Sequence, residues 1–210
     1  MPSIILALLL VLPQSLSPRE IVDAVSAKYG RLDSFSADFE QASQEFSNQT
    51  HIDRGHVYLK TGRRGRFEYF SAKNELIRVQ YFDGKNVTDY NALFHQATQY
   101  SMNKADADLL SIIQVVGNRE SPWKNQFERF TSAPNNKGNS VVQLYPKNKD
   151  LSEVMIEVDP NFFIVRLAFT RSADGQHNEF RFTNIKTTPL DKSMFQFVAP
   201  PGVEVVKEKE

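Results

Sequence analysis

The sequence predicts an α+β domain built on one highly curved antiparallel sheet of about ten or eleven strands, with an N-terminal helix and a shorter central helix against it. Three observations lead there. Apolar and polar residues alternate with a period of two from Asp33 almost to the end of the chain. Turn signals separate the alternating runs. One amphipathic helical pattern precedes them, and one strongly apolar helical pattern interrupts them.

The chain opens on an unbroken apolar run, Ile4 to Leu12. Crossing a bilayer takes about 20 residues, so this run is too short to span one and suits the apolar region of a secretory signal peptide. Residues 1–17 are therefore expected to be a targeting segment with an unfixed cleavage site, although no Lys or Arg precedes the run and no A-x-A motif follows it. Residues 18–206 are expected to form a single domain and residues 207–210 a frayed tail.

Ser17, Pro18 and Glu20 spell a helix start: a capping hydroxyl, a proline at the first helical position and a carboxylate that can reach back to the cap. Ile21, Val22, Val25, Tyr29 and Leu32 give the helix an apolar face, and Gly30 marks its end. The strands follow. Phe35, Ala37 and Phe39 alternate with Ser36, Asp38 and Glu40, and Val57 and Leu59 with His56 and Lys60. Phe67 and Tyr69 alternate with Arg66 and Glu68, and Ile77, Val79 and Tyr81 with Arg78 and Gln80. Such alternation marks antiparallel strands with one apolar and one wetted face. Lys73-Asn74, Asp83-Gly84, Asp159-Pro160-Asn161 and Ala173-Asp174-Gly175 supply turns. Further strands are expected around 96–101, 127–131, 140–145, 154–158, 163–170 and 179–185. Between the first two of these lies the central helix, Asp106 to Val116, apolar on nearly every side through Leu109, Leu110, Ile112, Ile113 and Val116.

Composition narrows the function classes. The 25 basic and 25 acidic residues cancel, so no global field draws the protein to nucleic acid. The absence of cysteine removes disulfides, thiol catalysis and Cys-ligated metal. No two of His51, His56, His95 and His177 have zinc-site spacing on a helix, and neither a G-x-S-x-G elbow nor a phosphate-cradling loop is present. No catalytic residue, metal or cofactor is expected, and the protein is read as a non-enzyme. The 16 Phe and 7 Tyr instead provide much aromatic surface, for ordinary packing or for holding apolar ligands.

Four segments carry a family resemblance. They are Ser34-Phe35-Ser36-Ala37-Asp38-Phe39-Glu40-Gln41; Gly55-His56-Val57-Tyr58-Leu59-Lys60 followed by Gly65-Arg66-Phe67-Glu68-Tyr69; Asp83-Gly84-Lys85 before Tyr90-Asn91 and Gln96-Ala97-Thr98; and Phe195-Gln196-Phe197 before Pro200-Pro201-Gly202-Val203. In order and spacing the chain resembles the outer-membrane lipoprotein carrier (LolA) family, from the first helix to the C-terminus. The resemblance implies an unclosed β-barrel with helices across its mouth as a lid. It also implies a periplasmic, non-enzymatic carrier that binds the acyl chains of lipoproteins. Such a carrier takes cargo from an inner-membrane ATP-driven transporter to an outer-membrane receptor, here as a monomer. An alternative is a related unclosed-barrel protein that binds lipid or glycolipid or senses envelope stress.

The cavity is expected to be lined by Phe39, Phe67, Tyr69, Val79 and Tyr81 from the odd-numbered strand face, and by Leu109, Ile112 and Ile113 from the lid. In the family an arginine after the second of these strands hydrogen-bonds the closed lid. Here the stretch reads Thr61-Gly62-Arg63-Arg64, so a short insertion puts Arg63 at the arginine position and Arg64 where proline commonly stands. If the strand is continuous, Arg63 shares the face of Phe67 and Tyr69.

Overall fold

In a computed structural model, residues 16–44, 50–105, 112–113, 115–118, 123–136, 138–147 and 149–208 are described. The expected targeting segment, apart from its last two residues, lies outside them, as do residues 106–111.

The helix forms as its first residues dictate. In α1 (Pro18–Arg31) the Ser17 hydroxyl accepts the Glu20 N–H at 3.3 Å, and the Glu20 carboxylate accepts the Ser17 N–H at 2.8 Å. These reciprocal bonds satisfy two of the donors a helix start leaves open. Ile21, Val22, Val25 and Tyr29 form its buried face.

Among the described residues, twelve strands follow. They are β1 (Ser34–Gln44), β2 (Thr50–Lys60), β3 (Arg64–Phe70), β4 (Leu76–Asp83), β5 (Asn86–Asn91) and β6 (Gln96–Ser101), then β7 (Phe127–Asn136), β8 (Asn139–Pro146), β9 (Leu151–Val158), β10 (Ile164–Arg171), β11 (His177–Lys186) and β12 (Glu204–Lys207). They make one sheet in the order β12-β6-β5-β4-β3-β2-β1-β11-β10-β9-β8-β7. Neighbours pair antiparallel except β12 on β6, which is parallel. The outermost strands, β12 and β7, do not pair with each other, so the barrel is unclosed.

One strand exceeds the expected number, and it is the last. Lys207 pairs with Gln99, and the Glu208 N–H donates to the Gln99 carbonyl at 2.9 Å, so the ordered chain runs beyond residue 206. The segment from 187 to 203 reaches β12 by crossing the outer face of the sheet. Leu190 N–H donates to the buried Ser34 hydroxyl at 3.1 Å, and the Lys60 ammonium reaches Asp33 at 2.5 Å beside it. Phe195, fully buried in a short 3-10 turn (Lys192–Phe195) packed on β3 and β4, lies outside the main core, as does Val79. Phe197 then sits against Tyr81 and Tyr90, 5.5 Å from each ring.

Inside the curve, two covers divide the sheet. The first is α1, which packs on β7 and β8. Its Tyr29 ring meets Phe35 and Phe163, at 5.7 and 6.3 Å. The second is the central segment, described at 112–113 and 115–118, of which Ile112 and Ile113 are helical. Gly117 holds it in place, with a φ of 70°, its N–H bonded to the Tyr29 carbonyl at 2.9 Å, and Thr61 so near that a β-carbon would lie 2.2 Å from it. Only glycine meets both demands.

Candidate functional site

The concave face is a lattice of rings. Phe39 contacts Phe67, Tyr69 and Phe180 with centroids 6.1, 5.3 and 6.0 Å apart, and Phe67 reaches Phe82 at 5.8 Å. Phe180 stacks on Phe182 and meets Phe169 edge-on. Gly55, opposite Phe39, leaves room for the ring: a β-carbon there would lie 2.7 Å from it. Ile112, Ile113, Val115 and Val116 close the top of this lattice, all buried in the same core. Gly65 admits the cover, since its β-carbon position is 3.1 Å from Ile113.

Most of the expected lining residues meet here. Phe39, Phe67, Tyr69, Ile112 and Ile113 are buried together. Leu109 lies outside the described residues. Val79 and Tyr81 do not face the interior. Across the β3–β4 hairpin Gly65 pairs with Phe82 and Arg66 with Tyr81, so the inward face passes from odd residues on β3 to even residues on β4. Tyr81 stands outside beneath the Arg66 guanidinium and beside Phe197. Phe82, Gln80 and Arg78 take the inner positions.

Arg63 belongs to the turn before β3 rather than to a continuous strand. Its φ of 57° turns the chain, and its side chain is exposed. It lies between two residues that touch the central segment: Thr61, against Gly117, and Gly65, against Ile113.

Away from the cover the interior becomes polar. Gln80, 2% exposed, accepts a hydrogen bond from the Tyr69 hydroxyl at 3.4 Å and donates to Asp89 at 3.3 Å. Asp89 in turn accepts from the Arg78 guanidinium, at 2.9 Å from Nε and more closely from its terminal nitrogen. That pairing holds Arg78 well above its ordinary pKa. Below lies a recess of about 280 Å³, walled by residues of β1 to β4, β10 and β11. Nothing in a plain period-two reading points to this polar end. Counting residues through the β3–β4 turn is the signal that places Gln80 and Arg78 inside.

The described residues hold no cluster of His, Cys, Asp or Glu arranged for a metal and no helix long and apolar enough to cross a membrane. An open barrel around an aromatic interior, under a short apolar cover, is the architecture the sequence resemblance implied. The family model for the outer membrane lipoprotein carrier protein LolA matches residues 30–198. The chain belongs to this family.

Curated members agree. The outer-membrane lipoprotein carrier protein of Proteus mirabilis is 28% identical over 180 residues, covering 85% of this chain and 84% of its own length. That of Legionella pneumophila strain Paris is 24% identical over 99% of this chain and its whole length. Among solved structures, an uncharacterised conserved protein from Thermus thermophilus shares the fold, with a TM-score of 0.56 over 90% of this chain and 98% of its own at 15% identity. The family is one of carriers and not of enzymes, which places this chain in lipoprotein transport and outer-membrane biogenesis.

Proposed function

We propose that this carrier-family protein works in the periplasm as a monomer, taking up lipoprotein acyl chains where the central segment now packs. It would receive them from an inner-membrane ATP-driven transporter and release them to an outer-membrane receptor. One observation carries the reading: among the described residues, Ile112 and Ile113 of the central segment are buried in the same cluster as the rings of the concave face, with Ile113 set against Gly65 of β3. The described residues of that segment belong to no strand, so it can move aside from Gly65 and Leu59 without breaking a strand pair.

The energetics fit a carrier. Each methylene removed from water is worth about 0.8 kcal/mol, so a multiply acylated protein leaves a membrane only for another apolar site. A site filled by its own lid in the empty state binds more weakly by the free energy of lid closure, which keeps release possible. In this scheme Arg63 tightens the closed state from its turn between Thr61 and Gly65. Arg63→Leu then retains loaded lipid longer than wild type in a release assay; unchanged release removes Arg63 from the mechanism. Native mass spectrometry of protein purified from an envelope fraction tests the cargo, with acylated species as the expected adducts and none as the contrary result.

A further inference from the structure

The inner face of the sheet is polarised along the barrel axis. Reading each strand from the covered end to the base, the inward residues are Phe82, Gln80, Arg78 on β4 and Val87, Asp89, Asn91 on β5. On β6 they are Tyr100, Thr98, Gln96. Register carries the same order to β1, as Phe35, Ala37, Phe39, Gln41, Ser43, and to β11, as Phe182, Phe180, Asn178. On β4, β5 and β6 the change falls in one row, where Gln80, Asp89 and Thr98 lie side by side. On β1 and β11 the rings run further down, with Phe39 in the row of Gly55, Tyr69 and Arg78 and Phe180 opposite Gln41 below it.

We propose that the Tyr69–Gln80–Asp89–Arg78 network is the floor of the acyl site and sets the longest hydrocarbon chain that gains by entering. This rests on the carrier reading above and adds the residues that measure chain length. The polar groups of the network satisfy one another, so they cost little while left alone. A chain end pushed among them would have to displace those bonds with methylenes that offer none in return. Beyond the floor, the recess is lined for the most part by polar side chains, among them Asp53, Arg78, Arg171 and Asn178, together with Ile77 and Phe180, so most of its wall favours water over hydrocarbon. Apolar contact therefore ends above Gln80 and Asp89 on the β4–β5 side, and continues on the β1–β11 side down to Phe39 and Phe180.

The test is displacement of a fluorescent fatty-acid probe by saturated fatty acids of rising length, from lauric to arachidic. Wild type should tighten by about fourfold per added methylene, the equivalent of about 0.8 kcal/mol, and then stop tightening. Gln80→Leu should move that plateau to longer chains by at least about two methylenes, with short-chain affinities within about twofold of wild type. The double variant Arg78→Met, Asp89→Leu removes both charges together and should move it in the same direction. Affinity that climbs through every length in wild type, or a plateau that neither folded variant moves, overturns the floor and leaves the carrier reading standing. Wild type that binds no fatty acid at all overturns both.

Discussion

The Tyr29 hydroxyl accepts the backbone N–H of Ile164 at 3.0 Å, tying the last turn of α1 to the first residue of β10. The Tyr29 carbonyl accepts from Gly117 as well, so helix, sheet and central segment meet at one residue. Tyr29→Phe keeps the ring but leaves a buried N–H unpaired, at a cost of about 1–3 kcal/mol. Urea denaturation at neutral pH checks this, and a loss under about 0.5 kcal/mol would mean that the N–H finds another partner. Burial, the largest influence, also pushes the Tyr29 phenol above its ordinary pKa. A raised value means that the contribution is complete below the unfolded tyrosine pKa, about 10, and fades as pH rises past it. The alkaline loss of stability should therefore be shallower in Tyr29→Phe.

Asp33 behaves in the opposite sense. The hydrogen bond from Lys60, followed by that from Ser34, holds its carboxyl below the usual range. Its contribution is present above the ordinary Asp value, about 3.9, and is lost as pH falls through the lower folded value. Asp33→Asn should flatten that part of the acid unfolding curve. The carboxyl is more than half exposed, so the effect is small and screened by salt. Equal acid slopes for variant and wild type at low ionic strength would remove the pair from the stability balance.

The segment from 187 to 203, a strap across the outer face of the sheet, gives a stronger prediction. Phe195 is fully buried between the strap and β3–β4, apart from the main core. Phe195→Ala should cost about 3–5 kcal/mol, as large ring deletions do. Phe197→Ala, removing a half-exposed ring, should cost clearly less. Parallel urea titrations compare them. Equal losses would mean that the strap is held by its bond to Ser34 and by β12 rather than by Phe195.

The cover is testable at Gly65. A valine there places its β-carbon 3.1 Å from Ile113, and its methyl groups demand more space still. Gly65→Val should lift the central segment and raise binding of an environment-sensitive apolar dye, with the sheet's circular dichroism unchanged. Dye binding equal to wild type would show that the segment accommodates the side chain without opening.

Most of this fold is legible in the sequence because each strand carries its own alternation and each turn its own chemistry. The capping box at Ser17 and Glu20 and the aspartate turn at Asp83, which accepts from Lys85 and Asn86 at 2.7 Å, are local features that fold as they read. What alternation within a strand does not give is which face continues into the next strand. That depends on the pairing across the turn. Val79 and Tyr81 read as inward because Phe67 and Tyr69 are; the pairing of Gly65 with Phe82 reverses the parity. Arg63 shows the same limit. Its odd number suggests the inner face, but its left-handed backbone makes it a turn residue. The twelfth strand leaves no such signal, because its four residues are exposed and show no buried face to read.

The most direct test of the carrier reading is transfer of a labelled triacylated lipoprotein out of proteoliposomes containing the inner-membrane transporter, with the Proteus mirabilis relative as positive control. With ATP and this protein outside, label should appear in the supernatant as a complex containing one copy of the chain, and Gly65→Val should change the yield. Label that stays with the vesicles, while the control protein releases it, would contradict the claim that this interior accepts acyl chains.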